Sequence, residues 1–283
     1  MTIHDVHGIP VTLTETGHGH PVLLLHGGGG PSTVAAWGQR LASERPARVI
    51  TPVHPGFNRT LRPDSVRTVR DLAALYVDLL DELDLENVSI VGNSIGGWIA
   101  AEVAALNSPR ISSVVIVDGV GLAVEDHPYV DFFSLTPAQV AEHSYADPGG
   151  TYGVDPATLP PEVRAIILGN REPLALYGGQ KMADPALAER LTHVTAPTLL
   201  VWGEADRISE PAVGEAYAAA IPGARFHLIQ HAGHLPQIER PAELVDIVWD
   251  FANQHRHNQP ASRSAISSGI EGPVISDRVQ CAE

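Results

Sequence analysis

Cysteine is nearly absent: the 283 residues include only Cys281. A lone cysteine closes no intrachain disulfide, so the expected compartment is a reducing cytoplasm and the fold must rely on its core. Cys281 is also no candidate nucleophile, because it sits in a polar tail without a neighbouring histidine. Basic charge is scarce as well. Eighteen Lys and Arg face 33 Asp and Glu, for a formal net charge of −15. Such a surface repels nucleic acid and anionic membranes, so neither is an expected partner. No apolar run approaches the roughly 20 residues that span a bilayer. The start, Met1-Thr2-Ile3-His4-Asp5, lacks the basic-then-apolar order of a secretory signal. The glycine run at 27–30 has neither a following Lys-Ser/Thr nor G-x-G-x-x-G spacing, which argues against nucleotide binding. No metal or organic cofactor is expected, and the expected partner is a small-molecule substrate.

What is present is a regular alternation of elements. Apolar runs at Val22–Leu25, Val49–Val53, Val88–Val91, Val114–Val117, Leu199–Trp202 and Phe226–Ile229 predict strands, most of them buried. Ile9, Val11 and Leu13 alternate with polar residues and predict an edge strand. Helical patterns lie between the strands. The clearest runs from Thr68 to about Leu85, with Leu72, Leu75, Tyr76, Leu79, Leu80 and Leu83 on one face and a capping-box-like Thr68/Asp71 start. Alternating strands and helices define an α/β class: a mostly parallel sheet with helices on both faces.

The chemistry concentrates at loops that follow strands, which a parallel sheet gathers at one edge. Gly92-Asn93-Ser94-Ile95-Gly96 is a G-x-S-x-G pattern placed directly after Val88–Val91 and directly before a helical stretch. On such a turn a serine is strained and its hydroxyl projects from the sheet, ready to act as a nucleophile. His26-Gly27-Gly28-Gly29-Gly30 follows another strand, and its backbone can approach a substrate oxygen closely. The N–H groups of Gly28 and Ile95 are the candidate oxyanion donors, with Gly29 a substitute for Gly28. His26 is read as a brace for this loop. Gly203-Glu204-Ala205-Asp206 ends the strand at Leu199–Trp202, and Asp206 is the candidate acid with Glu204 as a spare. Asp118, after the strand at Val114–Val117, is a rival. Gly233-His234 follows the last strand, so His234 is the candidate general base and His231 the lesser one.

The order Ser94, Asp206, His234 resembles that of the α/β-hydrolases. The similarity spans about residues 9 to 255. It rests on His26-Gly27-Gly28, His54-Pro55-Gly56-Phe57, Gly92-Asn93-Ser94-Ile95-Gly96-Gly97, Trp202-Gly203-Glu204-Ala205-Asp206-Arg207 and Gly233-His234. The resemblance implies a core at 1–121 and 191–255 and a mainly helical cap inserted at 122–190. It also implies a catalytic Ser94–His234–Asp206 triad. Serine at 94 separates the chain from relatives with an aspartate nucleophile, the epoxide hydrolases and haloalkane dehalogenases. The Gly-Asn-Ser elbow is similar to that of meta-cleavage-product hydrolases, but these place tryptophan where this chain has Leu235. The expected activity is hydrolysis of a carboxylic ester, with C–C bond hydrolysis as the alternative. A ligand-binding receptor on the same scaffold is a reading of another class, since plant hormone receptors of this fold retain a complete triad.

The cap region holds six of the eleven Phe and Tyr residues, Phe132 and Phe133 among them. These aromatics either line an apolar pocket or join cap to core. Gly29, Asn93, Phe132, Phe133, Arg171 and Leu235 are the candidate substrate contacts. Acidic residues outnumber basic ones in the cap, which favours an uncharged, largely apolar acyl group of small to medium size, with Arg171 the residue able to grip a carboxylate. From about residue 256 to 283 the composition turns polar and predicts a disordered tail.

Overall fold

The computed structural model describes residues 1–149 and 158–256. Its frame is an eight-stranded sheet. In chain order the strands are β1 (Thr2–Val6), β2 (Ile9–Gly17), β3 (His20–Leu25), β4 (Ala47–Pro52), β5 (Val88–Asn93), β6 (Ile111–Val117), β9 (Thr198–Gly203) and β10 (Arg225–Ile229). Across the sheet the order is β1-β2-β4-β3-β5-β6-β9-β10, and only the β1–β2 and β2–β4 pairs are antiparallel. The six strands from β4 to β10 run parallel.

Period-two alternation divides the buried strand residues between two cores. Leu23 and Leu25 of β3 and Val114 and Ile116 of β6 face one side. There they meet α2 (Val69–Glu82), α3 (Ile95–Ala105) and α8 (Pro211–Ala220). Val22, Leu24, Val115 and Val117 face the other, against α1 (Ser32–Glu44) and α10 (Pro241–His255). The strands therefore need apolar residues at consecutive positions, which is what the sequence shows. Helix α2 starts at a full capping box. The Asp71 N–H donates to Thr68 Oγ1 at 3.1 Å and the Thr68 N–H to Asp71 Oδ2 at 2.9 Å.

One strand assignment needs correction. Ile9–Gly17 is not the edge, because β1 lies outside it. Thr2–Val6 gave no signal because Val6 is its sole buried residue. A polar outer strand has one face and one edge in solvent, so nothing forces an apolar alternation on it.

Between β6 and β9 the chain leaves the sheet. It forms β7 (Gly121–Leu122), α4 (Pro137–Ser144), α5 (Pro161–Gly169), α6 (Arg171–Gly178), β8 (Ala183–Asp184) and α7 (Leu187–Leu191). Strands β7 and β8 pair with each other at the base of this excursion. Helix α4 opens on a second capping box, Thr136 with Gln139, and carries Pro137 at its first position. The expected tail at 256–283 lies outside the described residues save for Arg256, as does Tyr152. Among the described residues no helix is long and apolar enough to cross a membrane.

Candidate active site

Ser94, Asp206 and His234 follow β5, β9 and β10, three parallel strands whose carboxyl ends share one edge of the sheet. Ser94 sits between β5 and α3 with φ 58° and ψ −119°, a conformation unusual for a residue with a side chain. The flanking glycines make this turn possible by close approach. A Cβ on Gly92 would lie 2.0 Å from the Gly96 carbonyl oxygen, and one on Gly96 would lie 2.3 Å from that of Leu25. The pattern G-x-S-x-G is thus a packing requirement of strand, turn and helix meeting at one point.

The three side chains form a hydrogen-bonded series. His234 Nδ1 lies 2.8 Å from Asp206 Oδ2, and His234 Nε2 lies 2.9 Å from Ser94 Oγ. Because a carboxylate only accepts, Nδ1 carries the proton, and Nε2 of the neutral ring accepts from the serine hydroxyl. Asp206 is held by more than the histidine. Its Oδ1 accepts the N–H groups of Ile208 at 2.8 Å and Ser209 at 3.0 Å. The spare candidates stand elsewhere: Glu204 is exposed and accepts the N–H of His231, which is itself exposed. Asp118 is buried beside Asp206, but its Oδ1 accepts the Gly203 N–H at 2.8 Å.

Ser94 and His234 open onto a cavity of about 210 Å³. Gly27, Gly28 and Gly29 line it, and a Cβ on Gly27 would lie 3.2 Å from Ser94 Cβ. Ile95 occupies the first turn of α3, where an N–H has no helical carbonyl to bond. The glycine loop is braced by two buried histidines. His26 Nδ1–H donates to Gly27 O at 2.7 Å, and His26 Nε2 accepts the His54 N–H at 3.1 Å. His54 Nε2–H donates back to His26 O at 2.8 Å, and its Nδ1 accepts from the Tyr76 hydroxyl at 2.5 Å. Burial lowers both histidines, His26 well below the usual value and His54 to about 4, so both are neutral at pH 7.

The wall of the cavity comes largely from the excursion, including Val130, Phe132, Val140, Ile167 and Leu168. Leu235, Gly29 and Asn93 also line it. Asn93 is otherwise engaged: its amide N–H₂ donates to His234 O and Val117 O, and its Oδ1 accepts from Gln237. It positions the histidine loop. Phe133 is a correction, because its side chain is not part of the lining. Phe132 lines the cavity, and the Phe133 ring packs edge-on against that of Phe132. The chain at 132–133 is fixed by Arg171, whose Nη2 donates to the carbonyls of Phe132 at 3.2 Å and Phe133 at 2.9 Å. Arg171 therefore lines the cavity with part of its fork already engaged. The described aromatics of the excursion divide between the two roles. Tyr129 and Phe132 line the cavity, whereas Tyr177 donates to Pro55 O at 2.9 Å and stacks on Phe57.

Several positioning contacts had no sequence signal. Asn170, between α5 and α6, accepts the Asn58 N–H and donates to Gly29 O, joining the excursion to the glycine loop. Ser144, the last residue of α4, accepts the His234 N–H at 2.7 Å through its carbonyl. Arg164, which with Arg171 and Lys181 is a basic candidate of this region on sequence grounds, also lines the cavity. Asn170 lies between two helices and Ser144 acts through its backbone, so neither belongs to a recognisable motif.

The fold and this geometry agree with what the chain resembles. It belongs to the alpha/beta hydrolase family, whose model matches residues 22–247. It is 27% identical over 266 residues to the 2-hydroxy-6-oxo-6-(2'-aminophenyl)hexa-2,4-dienoic acid hydrolase of Metapseudomonas resinovorans, covering 87% of this chain and 89% of that protein. It is 27% identical to the 2-hydroxymuconate semialdehyde hydrolase of Pseudomonas sp. strain CF600, covering 86% and 93%. Among solved structures, the meta-cleavage product hydrolase CumD from Pseudomonas fluorescens IP01 superposes with a TM-score of 0.73 at 21% identity, over 90% of this chain and 98% of that one. A thermophilic esterase from Thermogutta terrifontis gives 0.72 at 22% identity, over 90% and 98%.

Proposed function

We propose that this protein is a serine hydrolase that cleaves carboxylic esters with an uncharged, largely apolar acyl group of small to medium size. The observation that carries this reading is the Ser94–His234–Asp206 hydrogen-bonded series opening onto a predominantly apolar cavity. Ser94 Oγ attacks the ester carbonyl while His234 Nε2 takes its proton. The imidazolium gives that proton to the leaving alcohol as the C–O bond breaks. A water, deprotonated by the same nitrogen, then releases the acid from the acyl-enzyme. Asp206 holds the ring in the correct tautomer and stabilises its positive charge. The N–H groups of Gly28 and Ile95 receive the oxyanion, and losing one such donor costs roughly 3 kcal/mol of transition-state stabilisation. Residues 122–190 act as the cap that selects the acyl group.

A fluorophosphonate probe tests the nucleophile. It is expected to label Ser94 in the native chain and to leave Ser94→Ala unlabelled and inactive. Normal turnover by that variant would dismiss the mechanism. A receptor would turn over simple esters very slowly.

C–C bond hydrolysis is the second reading. It is favoured by Arg164 and Arg171 in the cavity wall and by a relative whose name specifies hydrolysis of a dienoic acid. The discriminating measurement is kcat/KM for a neutral short-chain ester against a dienoate ring-cleavage product, in the native chain, Arg164→Ala and Arg171→Ala. A large dienoate preference that disappears in either variant would move the assignment to a C–C hydrolase.

A further inference from the structure

Two carboxyl groups meet behind the histidine, and the hydrolase reading uses only one. Asp118 follows β6, is fully buried, and adopts φ 47°, a left-handed conformation. Its side chain lies within 4.8 Å of a carboxylate oxygen of Asp206 and a ring nitrogen of His234. Oδ1 accepts the Gly203 N–H at 2.8 Å. Oδ2 is buried and, counted as an acceptor, has no donor. The loops bearing the two acids are stitched together, since Ser209 Oγ donates to Gly119 O at 2.8 Å.

Two ionised carboxylates cannot share this place. Nearby charge is unhelpful: Glu239 of α9 (Pro236–Glu239) adds a further carboxylate, and Tyr129 faces Asp206 as a neutral phenol. Arg207, next to Asp206 in sequence, turns outward to the Glu142 carbonyl. The His234 ring gives its Nδ1 bond to Asp206, and among the described residues no Lys or Arg is hydrogen-bonded to either carboxyl. One carboxyl must therefore hold a proton. Donor count decides which. Asp206 receives three N–H donors, from Ile208, Ser209 and His234, whereas Asp118 receives one. The anion belongs on Asp206. Burial and the Asp206 charge accordingly push Asp118 well above the usual carboxylate range, against the Gly203 bond.

We infer that Asp118 is a protonated carboxylic acid whose Oδ2–H donates to the Asp206 carboxylate, making it a positioning residue for the acid that orients His234. This rests on the hydrolase reading for its consequence in catalysis but not for the proton itself. A neutral donor completes the anchoring of Asp206 without placing a second negative charge beside the imidazole. Its orphaned Oδ2 then has a partner.

The test uses the full chain with Asp118→Asn and Asp118→Ala. Asparagine reproduces a neutral side chain that accepts from Gly203 and donates to Asp206; alanine does neither. The infrared difference spectrum between native protein and Asp118→Asn at pH 7 should show a carboxylic-acid C=O band lost in the variant. On a neutral p-nitrophenyl ester, Asp118→Ala should lose kcat by roughly 10- to 100-fold, the range for losing one hydrogen bond to a charged group. Asp118→Asn should restore most of that loss. It should also leave the acid limb of the kcat/KM–pH profile in place, because neutral replaces neutral. A missing acid band, or an acid limb displaced by about one pH unit or more in Asp118→Asn, would show that residue 118 is ionised and would overturn the proposal. If Asp118→Ala does not fold, the infrared band and the Asn profile still decide. Ester turnover by Ser94→Ala would sink the hydrolase reading while leaving the infrared result standing.

Discussion

The buried pair His26–His54 makes the stability of this protein acid-sensitive in a way that can be isolated. Both rings are fully buried, tilted against each other with centroids 3.7 Å apart, and each hydrogen-bond role fits the neutral form. Placing a proton on either would add a charge among Phe57, Tyr76 and the partner ring. Burial lowers His54 from 6.5 to about 4. In the unfolded chain the ring titrates near 6.5. Below that pH the unfolded state binds a proton the folded state refuses, so stability falls as pH falls, until the folded ring also protonates near 4. The loss from His54 reaches on the order of 3 kcal/mol, from lowering by about 2.5 pH units at about 1.36 kcal/mol each. His26 acts with the same sign. Asp118, raised in the fold, acts with the opposite sign above the carboxylate range, so the whole-protein slope alone does not isolate His54. The comparison with His54→Gln does. Glutamine offers a donor toward His26 O and an acceptor toward Tyr76 but no titration. Urea unfolding followed by tryptophan fluorescence from pH 7 to 4.5 gives both curves. The native curve should steepen relative to the variant by up to about 1.4 kcal/mol per pH unit between 6 and 4.5. Parallel curves would refute the claim that this ring is held neutral.

Other expectations concern packing and charge. Gly92→Ala places a Cβ 2.0 Å from the Gly96 carbonyl oxygen, so thermal denaturation should show a loss of more than about 2 kcal/mol and ester turnover should collapse. Arg190 pairs with the buried Glu102 of α3 and with Asp184 of β8. Arg190→Met should cost about 3 kcal/mol by stranding Glu102, and adding Glu102→Gln should recover most of it; no recovery would deny the pairing. Asp206→Asn should lower kcat by roughly 10⁴-fold through the wrong tautomer of His234, with melting temperature changed little by comparison.

Much of the architecture was legible because burial on both faces demands it. A parallel strand packed against helices on two sides must be apolar at successive positions, so β3, β5, β6 and β9 announce themselves. Local chemistry also determined the starts of α2 and α4, through Thr68/Asp71 and Thr136/Gln139. The turn at Ser94 was readable because only glycine tolerates the contacts on either side of it. The outer strand β1 was not, since its residues answer to solvent rather than to a core.

Tertiary structure alone decided which acid meets the histidine. Asp118 and Asp206 both end a parallel strand, and β6 and β9 are neighbours, so strand order brings both carboxyls to one place. What separates them is the number of N–H groups each receives, three against one, and those donors come from loop conformations with no pattern in the sequence. The same holds for Phe132 and Phe133. Adjacent residues of one type are equivalent on paper, and only the folded chain places Phe132 in the cavity lining with Phe133 packed edge-on against it. Sequence thus determined the sheet, the strained serine turn and the order of candidate groups, because these follow from local sterics and burial. Pairings between residues far apart in the chain were left to the folded structure, because a hydrogen bond depends on where two loops meet.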